Sequence, residues 1–221
     1  LLILGFMLSL ISGDLGLTTG QAGSLVTWTL VGAVIGGFIF GTLSDKFGRV
    51  RVLTWTIVLF AVFTGLCAFA QGYWDLLIYR TIAGIGLGGE FGIGMALAAE
   101  AWPAQHRAKA TSYVAIGWQL GVLAAALLTP VLLPYIGWRG MFMVGIIPAF
   151  VAWFFRAKLH EPEIFVQSKE IKEHSHTNSF KLLVKDVRTT KTSIGVAVLT
   201  SVQNFGYYGI MIWLPNFLSK Q

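Results

Sequence analysis

The chain has 221 residues, of which 55% are hydrophobic and only 12% charged, about half the charged share of an ordinary soluble domain. With a mean hydropathy of +0.71, that composition excludes a water-soluble globular fold and predicts an all-α transmembrane protein. The net charge of +6 would suit a nucleic-acid binder, but apart from Arg80, Arg139 and Lys220 the 16 Lys and Arg fall in turns assigned to one membrane face, the pattern of a positive-inside bias rather than a phosphate-binding patch.

In chain order, residues 1–11 read as about half a span, as if the sequence began inside a helix, and no basic segment or cleavage site marks a signal peptide. Residues 12–21 form an outer loop carrying Asp14. The second span is predicted over 22–43, with Gly32-x-x-x-Gly36 and Gly37-x-x-x-Gly41 at the spacing that lets helices touch. A third span covers 51–70. Cys67 is alone inside it, which gives no disulfide framework and no thiolate metal site. After a short turn with Tyr73 and Trp74, a fourth span covers 74–99, a fifth 110–133 and a sixth 139–155, the last closing on Trp153-Phe154-Phe155. The bundle is thus placed at 1–155. Residues 156–191 carry eight basic and five acidic residues and are read as a cytoplasmic linker; 192–221 contain a seventh span.

Between the second and third spans lies Gly41-Thr42-Leu43-Ser44-Asp45-Lys46-Phe47-Gly48-Arg49-Val50-Arg51-Val52-Leu53. Gly41 and Gly48 allow close backbone approach, and Gly48 allows a positive φ where the chain reverses. Asp45 can cap a helix or pair with a guanidinium. This stretch resembles the loop signature of the major facilitator superfamily, with Val50 standing where a second basic residue is usual. The resemblance implies two six-helix halves, here the N-terminal bundle plus the first helix of the second. In the fourth span Arg80 and the alternating Gly84, Gly86 and Gly88 resemble the superfamily's fourth-helix signature, and Gly89-Glu90 resembles its metabolite–proton symporters. Gly84-x-Gly86-x-x-Gly89 also fits a dinucleotide fingerprint, but no strand precedes it. Glu100 to Arg107 resembles the superfamily's loop after helix four. Glu100, Arg107, Asp45 and Arg49 are therefore expected to form a cytoplasmic charge network that closes the inner face in one state and breaks in the other.

Glu90 lies ten residues beyond Arg80, about 15 Å deeper and near the membrane centre. An acid there costs about 2.5–3.5 kcal/mol on insertion scales and is normally kept for function, which makes Glu90 the candidate proton carrier. Arg80 keeps its charge at any relevant pH and can hold an anion, or merely snorkel to the surface. Gln119, Gln203, Asn204, Tyr207 and Tyr208 are polar groups at membrane depth and are assigned to a substrate cavity, with helix–helix bonding as the alternative. Asn204-Phe-Gly-Tyr-Tyr-Gly through Trp213-Leu-Pro215 is similar to helix seven of organic-acid and nicotinate-type carriers. Glu161-Pro162-Glu163 only partly resembles the family's glutamate–serine–proline motif, and His174 and His176 read as solvated linker residues. The fifth span lacks the glycine–proline signature of drug antiporters, which favours uptake over export.

No nucleophile–base set, phosphate loop or metal spacing points to an enzyme, and no cofactor is implied. The resemblance implies a plasma- or inner-membrane secondary transporter, a proton-coupled symporter of a small organic acid or related metabolite. Its partners would be substrate, proton and bilayer, with no nucleic acid, and the full-length form would be monomeric. A non-transporting membrane sensor and an exporter of the same superfamily remain the alternatives.

Overall fold

The computed structural model describes residues 2–156 and 186–210. The Glu161-Pro162-Glu163 segment, His174, His176, Trp213, Pro215 and the side chain of Tyr208 lie outside the described residues. Among the described residues seven α-helices follow in order: α1 Leu2–Asp14, α2 Thr19–Phe47, α3 Arg49–Leu66, α4 Tyr73–Ala101, α5 Arg107–Val144, α6 Ile146–Arg156 and α7 Val187–Tyr208. Four stretches among the described residues are long and apolar enough to cross a membrane: Thr19–Phe47, Arg49–Phe69, Tyr73–Ala101 and Ala104–Arg156. Helices α2 and α4 run well past the residues a bilayer core needs, so their ends project into the interfacial layers.

Local chemistry sets the boundaries. Thr18 and Gln21 form a reciprocal capping box at the start of α2: Gln21 N donates to Thr18 Oγ1 at 3.3 Å and Thr18 N donates to Gln21 Oε1 at 2.9 Å. Gly48, at φ 110°, separates α2 from α3 and reverses the chain in a single residue. The expected turn over 134–138 is narrower than the sequence suggests: α5 passes Pro130 and Pro134, and its helical path breaks at Gly137, with φ 64° and ψ 179°. That break divides the 53-residue apolar stretch into two passes. α7 begins at Val187, capped by Asp186, whose Oδ1 accepts from Thr189 N at 2.8 Å, so residues 187–191 are helix rather than linker.

α4 is the packing axis. Lipid tails are as apolar as Leu, so membrane helices gain from close backbone contact more than from hydrophobic burial. A Cβ on Gly36 would run into the Ile85 carbonyl, one on Gly88 into the Ala33 carbonyl, and one on Gly84 into the Thr29 carbonyl. Each of α2 and α4 therefore offers glycines to the other's backbone. Gly86 does the same toward the backbone of Thr56 and Phe60 in α3, whereas Gly89 packs on the side chains of Phe40 in α2 and Thr56 in α3. The second expected small-residue pair is not used in this way: Gly37 is in ordinary contact, and nothing lies within 4 Å of a Cβ at Gly41. Gly41 faces open space, so the close approach expected there is absent.

An apolar core built on Leu4, Met7, Leu25, Leu76, Trp138 and Phe142 closes the bundle at its Gly137 end. At that same end Asp14 accepts from Trp138 Nε1 at 3.0 Å and pairs with Arg139 Nη1 at 2.6 Å, while Arg139 Nη2 donates to the Ala70 carbonyl at 3.3 Å. By contrast, α5 and α6 leave long apolar faces uncovered, among them Leu120, Leu127, Phe150 and Phe155.

Candidate functional site

Two charged sites hang on α4. The first is at the Gly48 end. Because α3 starts directly after Gly48, its first residue, Arg49, is aimed across at the last turn of α4. Arg49 Nε and Nη2 donate to Glu100 Oε2 and Oε1 at 3.3 and 3.1 Å, a two-pronged pairing. Arg49 Nη1 bridges Asp45 Oδ1 at 2.8 Å and Ser44 Oγ at 2.7 Å. All three charged side chains are between 18% and 28% exposed, sheltered but reachable by water. The structure thus brings Asp45, Arg49 and Glu100 together. It does not bring in Arg107, which is exposed and donates from Nε to the Trp102 carbonyl at 3.4 Å. The reason is local: after Trp102, Pro103 and a short 3₁₀ turn point α5 away before Arg107 can reach back. Ser44, buried and bonded to Arg49, was legible only as the small residue of the motif.

The second site lies about 15 Å from the first along α4. Arg156 Nη1 lies 3.5 Å from Glu90 Oε1. Arg156, expected as the first residue of the linker, is the last residue of α6. Counted at 1.5 Å per residue, Glu90 stands about 26 Å along α4 from Tyr73, and Arg156 about 27 Å along the chain from Trp138. Tyr73 and Trp138 belong to the same apolar end of the bundle, so the two charges arrive at matching depth. The pair is 24% and 30% exposed, and Arg156 Nη1 is buried with no hydrogen-bond acceptor. Phe91, next in sequence to Glu90, meets Trp118 of α5 edge-on at 6.0 Å between ring centroids.

Arg80 does not snorkel. It is 2% exposed, beside Cys67, with its guanidinium carbon 6.0 Å from the Phe142 ring centroid and its Nε without an acceptor. The remaining cavity candidates are dispersed. Gln119 is exposed on α5; Gln203 and Asn204 are exposed on α7, where Asn204 Nδ2 donates to the Thr200 carbonyl at 2.9 Å; Tyr207 is half-buried. The described residues do not gather these groups with Glu90 or Arg80 into one pocket.

A family model described as Major Facilitator Superfamily matches residues 2–221. The chain belongs to the Major Facilitator Superfamily. It is accordingly a multi-pass protein of the cell membrane, and its fold and relatives are those of transporters, not enzymes. Over its full length it is 78% identical to a putative metabolite transport protein of Haemophilus influenzae, covering 56% of that protein. It is 38% identical to a probable 4-methylmuconolactone transporter of Cupriavidus pinatubonensis, covering 98% of this chain and 51% of the relative. It is 33% identical to the cis,cis-muconate transport protein of Acinetobacter baylyi, covering 100% and 54%. The chain spans about half the length of the curated relatives it matches. Among solved structures, the inward open xylose transporter XylE from E. coli superposes with a TM-score of 0.62 at 20% identity, over 98% of this chain and 61% of that one, a likeness of fold alone.

Proposed function

We propose that this superfamily chain forms part of a secondary active transporter that carries a small organic acid inward together with a proton, by alternating access. The observation that carries the reading is Glu90, an acid held near the middle of α4 and paired with a cation from another helix at equal depth. Membrane interiors keep such groups at a cost of a few kcal/mol, and they mark proton and ion pathways. An organic anion moving inward against the membrane potential needs cotransported positive charge, and a carboxyl that takes a proton on one side and releases it on the other supplies it. Relatives named for muconate and methylmuconolactone transport support an organic-acid cargo.

Substrate would bind near the midplane, between this bundle and a second one. Arg80 is fixed in the bundle's interior and keeps a permanent positive charge beside the path. The Asp45–Arg49–Glu100 cluster acts as a latch that pins the α2–α3 turn to α4 in one state and opens in the other. The basic turn places that end at the cytoplasmic face.

The test is Glu90→Gln in the intact protein that carries this chain. Concentrative, pH-driven uptake should be abolished while exchange of substrate across proteoliposomes persists. Accumulation by the Gln variant with an unaltered pH profile would sink the reading.

A further inference from the structure

The chain reversal at Gly137 borders a cavity that neither Glu90 nor the charge cluster at the Gly48 end uses. Its level in the membrane follows from the chain itself. Ala104–Arg156 is 53 residues long, about 80 Å as a helix, against a hydrocarbon core of about 30 Å. The stretch therefore crosses twice and turns at one membrane face, and the turn is the break at Gly137. Trp74 and Tyr135 stand exposed at that same end, and such aromatic side chains sit at the level of the lipid headgroups.

The cavity is open, has a volume of about 580 Å³ and lies between the end of α1 and the break in α5. That is within the range of about 300–1,000 Å³ found for ligand sites. Leu10, Leu133 and Ile136 give it apolar walls, and Asp14, Trp138 and Arg139 give it a polar edge. Asp14 and Arg139 are each about half exposed, and their pairing does not exhaust either one. Asp14 Oδ2 accepts from both Trp138 Nε1 and Arg139 Nη1, which leaves Oδ1 without a donor among the described residues. Arg139 gives Nη1 to Asp14 and Nη2 to the Ala70 carbonyl, which leaves its Nε–H without an acceptor among them. The Arg139 guanidinium carbon also lies 4.1 Å from the Trp138 ring centroid, a stacking that holds it in place. Arg139, and then Trp138, hold the Asp14 carboxyl below its ordinary value, so it is ionised at neutral pH. One cavity thus offers a spare acceptor on an anion beside a spare donor on a cation, next to apolar walls.

We propose that this cavity binds a phosphatidylethanolamine of the surrounding leaflet, with the ammonium on Asp14 Oδ1, the phosphate on Arg139 Nε and the first carbons of a chain along Leu10, Leu133 and Ile136. Charge complementarity selects this occupant. Asp14 and Arg139 together carry no net charge, and an ethanolamine headgroup brings one positive and one negative charge to meet them. A phosphatidylglycerol brings a phosphate but no group for Asp14, which repels it. A phosphatidylcholine brings both charges, but its methylated nitrogen has no N–H to donate to Oδ1. An organic acid in solution answers Arg139 alone. The bound lipid joins the end of α1 to the start of the 138–156 pass, so it braces from outside the corner that Asp14 and Arg139 hold from within. No covalent bond changes. The inference does not depend on the symport reading of Glu90.

Native mass spectrometry of the purified intact protein, with dioleoyl phosphatidylethanolamine, phosphatidylcholine or phosphatidylglycerol added singly, reads the affinity for each lipid. The wild type should hold the ethanolamine lipid at least about tenfold more tightly than either of the others, the effect of one hydrogen bond to a charged group. Asp14→Asn should reduce that preference to about threefold or less. Leu10→Trp fills the cavity from its apolar side and leaves Asp14 and Arg139 in place. Leu10 is exposed, so this variant should fold as the wild type does, yet hold the ethanolamine lipid no more tightly than the choline lipid. If Asp14→Asn fails to fold, Leu10→Trp decides. A wild-type preference below about twofold would overturn the proposal. So would a preference for the glycerol lipid, which would mark a simple anion site. An ethanolamine preference unaltered in Leu10→Trp would place the lipid elsewhere and overturn it as well. Free glycerophosphoethanolamine that competes at the lipid's own concentration would make the occupant a soluble zwitterion and overturn the assignment to a lipid.

Discussion

Removing one side of the Arg49–Glu100 contact tests whether the charge cluster pins α4 to the α2–α3 turn. The pairing is two-pronged, with distances of 3.1 and 3.3 Å, and the side chains are 18% and 25% exposed. Fully exposed pairs contribute about 0.2–1 kcal/mol. Breaking a buried pair by removing one partner costs about 3–5 kcal/mol. At this intermediate burial, with Asp45 and Ser44 also bonded to the same guanidinium, Arg49→Gln should cost about 2 kcal/mol, and Glu100→Gln about the same. Because both substitutions remove the shared Arg49–Glu100 contact, the double variant should cost about as much as Arg49→Gln alone, about 2 kcal/mol rather than 4. Unfolding of the purified protein in mixed micelles of dodecyl maltoside and SDS reads these values. The same energy, placed on one side of a conformational equilibrium, shifts it roughly thirtyfold, so the maximal transport rate should change while substrate affinity does not. Arg107→Gln is the control and should stay within about 0.5 kcal/mol, since Arg107 is exposed and outside the cluster. Additive costs for Arg49→Gln and Glu100→Gln, within about 0.5 kcal/mol, would refute the pin.

Three other outcomes are expected. Gly36→Ala and Gly88→Ala force a Cβ into the facing backbone and should destabilise the bundle by at least about 2 kcal/mol in the same micelle assay, whereas Gly117→Ala, with nothing within 4 Å, should be neutral or slightly stabilising. Arg139, and then the Trp138 indole, hold the Asp14 carboxyl below its ordinary value of 3.8. A depressed folded-state value means that the contact's contribution is present above about pH 4 and is lost as pH falls through the folded value; the Trp138 fluorescence difference between wild type and Asp14→Asn should therefore be flat above about pH 4 and titrate only below it. A cysteine at Tyr135, which is 86% exposed at the Gly137 end, should react with an impermeant thiol reagent on intact cells, and one at Lys46 should not; Cys67 is fully buried and should stay silent. The reverse pattern would invert the membrane orientation.

The membrane class was legible because apolar runs interrupted by short basic turns have few other physical explanations. So was the reversal at Gly48, where a charged turn leaves room for a single residue of positive φ. The meeting of Arg49 with Glu100 follows from two turns at one membrane face, each bringing one unlike charge. What escaped the sequence depended on rotation and depth. Gly32–Gly36 and Gly37–Gly41 have identical spacing, but only the first is in tight backbone contact with α4, and a one-residue offset turns a helix face by about 100°. Arg156 follows an apolar run and so reads as the start of the linker. Its meeting with Glu90 depends on the break at Gly137, which the five residues 134–138 do not localise by themselves. The Asp14–Arg139 pair joins positions too far apart in sequence for any local signal. Arg107 shows the converse, a motif position that the helix start carries away from its expected partners.

These particulars assign different work to different faces of α4. Its glycine face is locked against the α2 backbone, and such a seam cannot slide without steric overlap, so α2 and α4 behave as one stiff unit. Two of its three acids point to two other elements. Glu100 holds the start of α3 at the Gly48 end, and Glu90 holds the end of α6 about 15 Å away. The α6 attachment is the more easily released, because α6 leaves most of its apolar surface uncovered and meets Glu90 at the long distance of 3.5 Å. On the proposed reading, protonation of Glu90 releases that contact, and a stiff helix that carries both Glu90 and Glu100 gives a short mechanical path between coupling and gating. On this view the run of glycines in α4 is there for rigidity of contact rather than for flexibility, since a looser seam would let Glu90 change partner without moving Glu100 at all.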